Sequence, residues 1–119
     1  MTELRCDYDG PFPDDFEFRL ATLCRHHEWA VMSIMIRRTR HGYHAIVTID
    51  NDVEPVIVVA AQAILGSDWK RENFNLFRAQ QLDEMPPMWR EAHRWNALYT
   101  SHTHFNRSVP DGTDQGSRG

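Results

Sequence analysis

The strongest constraint on this chain lies at residues 29–50, WAVMSIMIRRTRHGYHAIVTID, two strand-length apolar runs joined by a short turn. The pair reads as a β-hairpin, because β-branched and aromatic residues suit a pleated backbone and TRHG supplies the reversal. In the second run Tyr43, Ala45, Val47 and Ile49 alternate with His44, Ile46 and Thr48. The first set is expected to face a core, leaving His44 on the open side of the sheet. The first run is apolar at almost every position, the pattern of a central strand covered on both faces.

The flanking segments must cover that core. Residues 3–9 alternate Leu4, Cys6 and Tyr8 with Arg5, Asp7 and Asp9, the period of a half-buried strand ending at the GPFP breaker. Asp14 or Asp15 is placed to cap a helix over 15–27 whose Phe16, Leu20, Leu23 and Cys24 share one face. After NDVEP, the alanines of VIVVAAQAIL favour helix over strand. Ser67 or Asp68 caps a further helix, WKRENFNLFRAQQL, with Glu72 spaced for a capping box. Beyond the breaker DEMPPMW, REAHRWNALYTS reads as a short helix, alone or leading into a strand, and 106–119 as a disordered polar tail. The order strand, helix, strand, strand, helix, helix predicts an α+β fold. The expected form is a ferredoxin/RRM-like split β-α-β sheet with helices on one face and an extra C-terminal helical segment.

A chain of 119 residues makes one domain, here 1–105, with a single core. A net charge of −4 excludes a generally basic nucleic-acid binder but leaves a local patch at Arg37, Arg38, Arg40 and His41. Cys6 and Cys24 have no framework or CxxC spacing, so both are expected as reduced thiols in a cytoplasmic protein. No apolar run approaches the roughly twenty residues that span a bilayer, and MTELRCDYDG lacks a secretory pattern.

Asp7 and Asp9 point the same way from their strand and should share the open face with His44, since buried unpaired carboxylates are costly. Two carboxylates and an imidazole on one face suit a hydrated divalent cation and a phosphate. The bland alternative is an Asp-rich strand end with a half-buried histidine. Asp68, Arg71, Glu72, Asn75 and Arg78 recur on one helical face, expected mainly as a solvated stripe of weak ion pairs. His26 and His27 complement a helix C-terminus; His102 and His104 have ligand-like spacing without a third partner. Trp89, Trp95, Tyr99 and Phe105 read as packing residues, with any exposed part available as a homodimer or protein-partner surface.

LRCDYDG resembles the first motif of archaeo-eukaryotic-type primases and their PrimPol relatives, Asp-x-Asp at a strand end. RRTRHGYHAIV resembles their second motif, a small residue, any residue and histidine opening a strand. The resemblance covers roughly residues 4–80 and implies a nucleotide- or nucleic-acid-handling protein of DNA replication, a reduced phage or mobile-element type. It implies Mg2+ or Mn2+ at Asp7 and Asp9, and His44 with Arg38 or Arg40 on the triphosphate during nucleotidyl transfer. Gly42 stands where serine is usual, and the third metal-binding acid has its nearest counterparts in Asp68 and Asn75, beside Arg71 and Arg78. The rival expectation is a non-catalytic binding or regulatory protein that uses the same scaffold for protein–protein interaction.

Overall fold

The structure is a computed structural model that describes residues 1–91 and 94–98. It is α+β: β1 Thr2–Asp9, α1 Phe16–His27, β2 Val31–Arg38, β3 Gly42–Ile49, α2 Pro55–Ile64, α3 Trp69–Gln80 and the single-turn α4 Met88–Glu91. Short 3-10 turns stand at Leu82–Glu84 and Arg94–Asn96. The three strands form one antiparallel sheet in the order β1-β3-β2, so β1 and β2 run parallel with β3 between them. Tyr99, Phe105, His102, His104, the alternative of a final strand through residue 101 and the tail from Asn106 lie outside the described residues.

The alternation in β1 and β3 sorts their side chains as their sequences require. Leu4 faces Val47 and Cys6 faces Ala45, all fully buried, and with Ile49 they meet Phe16, Leu20 and Leu23 of α1. Val58 and Ala61 of α2, with Leu65 at its C-cap, complete this layer, and α2 begins with Pro55 in its first turn. Proline there loses no helical hydrogen bond and presets φ, which helps a β-branched sequence enter a helix. Among the described residues no helix is long and apolar enough to cross a membrane.

Four local expectations are corrected. β2 is an edge strand, because β3 takes the central position, and its apolar residues are exposed. Asp15 stands at the start of α1 but makes no cap; its carboxylate accepts from Arg19 Nε at 2.9 Å. Asp68 does cap α3, accepting from Arg71 N at 3.3 Å, but no capping box forms because the third helical position is then Arg71, and Glu72, one residue further, is buried. The expected solvated stripe is instead the buried face of α3: Glu72 is 4% and Asn75 1% exposed, while Trp69, Phe74 and Phe77 face outward.

That inversion has a structural cause. Gln62 Oε1 accepts from Arg5 N and from Asn96 Nδ2, each at 2.7 Å, and Gln62 Nε2 donates to Glu72 Oε1 at 2.7 Å and Asn96 Oδ1 at 3.0 Å. Arg71 donates to Glu72 Oε2 at 2.5 Å and to the carbonyls of Arg5 and Asn96 at 2.7 and 2.9 Å. Asn75 Nδ2 joins Glu72 and Asn96, each at 3.2 Å. The polar residues of α3 thus serve the outer edge of β1, whose peptide groups would otherwise be buried unpaired.

Burial pushes the Cys6 thiol from 9.0 up to about 12 and raises the Tyr8 hydroxyl, which donates to Leu65 O at 2.8 Å. Both are neutral in the fold, whereas the unfolded chain ionises its thiol near the ordinary value. The unfolded state therefore loses protons first, so stability is complete below about pH 9 and declines as pH rises toward 12. Urea midpoints across that range should fall less steeply in Cys6→Ala than in the natural chain; identical slopes would acquit the thiol.

Candidate functional site

The face of the sheet opposite the helices carries the groups singled out from the sequence. Cross-strand partners share a face, and Asp7 lies directly opposite His44, with Arg37 opposite His44 on the other side. His44 Nε2 is 3.4 Å from Asp7 Oδ1. His44 is only 5% exposed, while the Asp7 side chain is 37% exposed and Asp9 lies exposed at the strand end opposite Gly42. The expectation that Asp7 and His44 share a face is met, and alternation turns Asp9 to that side as well. The imidazole is more enclosed than an open sheet would leave it.

A cavity of roughly 220 Å³ opens beside this pair, lined by Arg5, Arg37, His44, Met35, Ile46 and Leu98. Arg5 donates from Nε and a terminal nitrogen to Glu3 Oε1 at 2.9 and 2.7 Å. Among the described residues no carboxylate pairs with Arg37, whose nearest polar contact is Met35 Sδ at 3.9 Å. A guanidinium without a counter-charge, next to an imidazole and a second guanidinium, offers the hydrogen-bond donors and charge that an anion can use.

Backbone contacts hold the acid in place. Asp7 N donates to Ser67 Oγ at 2.9 Å, and Asp7 O accepts from Asp68 N at 2.7 Å. The α2–α3 connection therefore clamps β1 at the residue that presents the carboxylate. Asp68 lies near Asp7 through its backbone, but its carboxylate is engaged as the α3 cap.

The other expected residues are dispersed. Arg38 stands opposite Tyr43 on the helix-covered side, its guanidinium 5.8 Å from that ring, so the turn from the hairpin register makes Arg37 the neighbour of His44. Arg40 is exposed in the turn between β2 and β3. Arg71 and Asn75 belong to the network along β1, and Arg78 lies in the last turn of α3. Arg37 stands out in the sequence only as part of the basic patch, and Arg5 not at all, although both signals are present: Arg5 is two residues from Asp7, and counting back across the TRHG turn pairs Arg37 with His44.

Asp7 with His44, and Asp9 one strand repeat further, make an incomplete cage: among the described residues no group of three or more His, Cys, Asp or Glu is assembled for a metal ion. Of these groups only the two carboxylates are the oxygen donors that a hydrated cation such as Mg2+ takes, alongside water and phosphate. Trp95 is buried and Trp89 half-buried against the core, in line with their packing role. Comparison with protein families, with curated proteins and with solved structures finds no match to this chain.

Proposed function

We propose that this protein binds a phosphate-bearing ligand, a nucleotide or nucleic acid, on the open face of its sheet. The observation that carries the reading is the Arg37 guanidinium, unmatched by any carboxylate among the described residues, in one cavity with Arg5 and with His44, whose imidazole lies 3.4 Å from Asp7. Arg37 and Arg5 neutralise phosphate charge, and His44, with Asp7 3.4 Å away, donates from its imidazole. Met35, Ile46 and Leu98 supply an apolar wall for a sugar or base. Asp7 and Asp9 are the residues to hold Mg2+ or Mn2+ arriving with the phosphate; such an ion supplies Lewis-acid polarisation of a phosphoryl oxygen. The strand order with β1 parallel to β2 supports a three-stranded relative of ferredoxin- and RRM-like sheets, with side chains of α2 and α3 beside β1 where a fourth strand would run. Nucleotidyl transfer is the activity that the primase resemblance adds to this binding.

Titration of a fluorescent nucleoside triphosphate or oligonucleotide, with Mn2+ or Mg2+ and with EDTA, tests the proposal. Arg37→Ala removes a charged hydrogen bond worth about 1.5–3 kcal/mol, so affinity should fall by roughly 10- to 150-fold. Asp7→Ala should abolish the difference between metal and EDTA, and affinity should decline with salt. Binding that ignores both substitutions would place the ligand elsewhere, and no binding at millimolar ligand would remove the reading.

The rival role, protein interaction, is favoured by a different observation, the apolar residues that β2 leaves uncovered.

A further inference from the structure

The two outer edges of the sheet are treated differently. On β1, the peptide groups of Arg5 and Asp7 are bonded by Gln62, Ser67, Asp68 and Arg71. On β2, among the described residues, no group bonds the outward peptide edge. Val31, Met32, Ile34, Met35 and Ile36 are all exposed, from 40% at Val31 to 58% at Met32. Ile34 and Ile36 stand opposite Val47 and Ala45 on the helix-covered side, and Met35 opposite Ile46 on the other, so the strand is bare on its edge and both faces. Beyond the register shift between Val31 and Ser33, the apolar edge from Ser33 to Ile36 is a template for another strand.

Charge along the strand selects the partner. Glu28 and Asp50, both exposed, stand at its start, where Asp50 N is bonded to Ala30 O; Arg37 and Arg38 stand at its end. We infer that β2 pairs antiparallel with β2 of a second copy, joining two three-stranded sheets into one of six strands. A two-fold axis at Ile34 sets Ser33 of each copy opposite Met35 of the other, both on the open face, and brings the Arg37–Arg38 end of each strand toward the Glu28–Asp50 end of its mate. Parallel pairing would align arginine with arginine. The isologous arrangement covers both bare strands at once and leaves a closed assembly. It also explains why a strand with a central strand's composition occupies an edge: the dimer makes it central. The inference stands independently of the phosphate site.

Sedimentation equilibrium of the full chain at about 100 µM should give a mass of two 14.0 kDa chains, dissociating on dilution. Ile34→Lys, at an exposed position, should weaken association about tenfold or more, with the far-ultraviolet circular dichroism unchanged. Arg38→Glu alone should weaken it, and adding Glu28→Arg should restore it, a rescue that a merely structural effect does not produce. A monomer at this concentration overturns the inference, and hydrogen exchange showing protected β2 amides in that monomer would assign the edge to the chain's own residues 99–119. A dimer indifferent to all three substitutions overturns it equally.

Discussion

Replacing Arg71 by methionine is expected to cost about 3–5 kcal/mol of folding stability, the range for breaking a buried ion pair from one side. Glu72 would keep a carboxylate that is 4% exposed and lose its cation, while the carbonyls of Arg5 and Asn96 would lose their donor. Methionine matches the length of the aliphatic stem, so little of the loss comes from packing. Because small domains hold only about 5–15 kcal/mol in total, the variant should unfold at a much lower urea concentration. Adding Glu72→Gln removes the stranded charge and keeps an acceptor for Gln62, so the double variant should recover part of the loss; interacting neighbours couple by about 0.5–3 kcal/mol. Urea unfolding of the two single variants and the double supplies the cycle. A loss below about 1 kcal/mol for Arg71→Met would mean that the pair behaves like a surface ion pair.

Gly42→Ala should be nearly as damaging, for a steric reason. A Cβ built at Gly42 falls 1.8 Å from Tyr8 O, 2.8 Å from Tyr8 C and 2.9 Å from Gly10 N. All three obstacles are backbone, so no side chain can swing aside, and β1 must part from β3 at the end of the ladder. Overpacking typically costs about 1–3 kcal/mol, and the unyielding neighbours put this site at the upper end. Gly10 offers the contrast: φ is +110° with nothing within 4 Å of its built Cβ, so Gly10→Ala meets backbone strain without collision. The displaced ladder end carries Asp7, Asp9 and His44, so Gly42→Ala should also weaken nucleotide binding while Gly10→Ala weakens it less. Equal unfolding midpoints for Gly42→Ala and the natural chain would refute the close approach.

The geometry of the candidate site was largely legible from alternation. A strand turns successive side chains to opposite faces, so Asp7, Asp9 and His44 had to emerge on one side once Leu4, Cys6, Tyr8, Ala45, Val47 and Ile49 took the other. Helices α1 to α3 were legible to within a residue or two for a similar reason: capping residues, prolines and alanines act over a few positions. The choice between Arg37 and Arg38 required the hairpin register, which the turn sets and which changes every face when it shifts by one residue.

What the linear chain decided, then, is which segments become strand or helix and which side chains share a face, because both follow from bond geometry over a few residues. Tertiary contacts decided the rest. β2 has the composition of an inner strand and still takes an edge, because β3 pairs on both its sides. The α3 residues Arg71, Glu72 and Asn75 are as polar as any exposed stripe, yet they turn inward because the β1 edge, more than sixty residues earlier in the chain for Arg5 and Arg71, needs donors and acceptors. Hydrogen-bond demand from a remote segment leaves no periodic trace in the sequence that answers it.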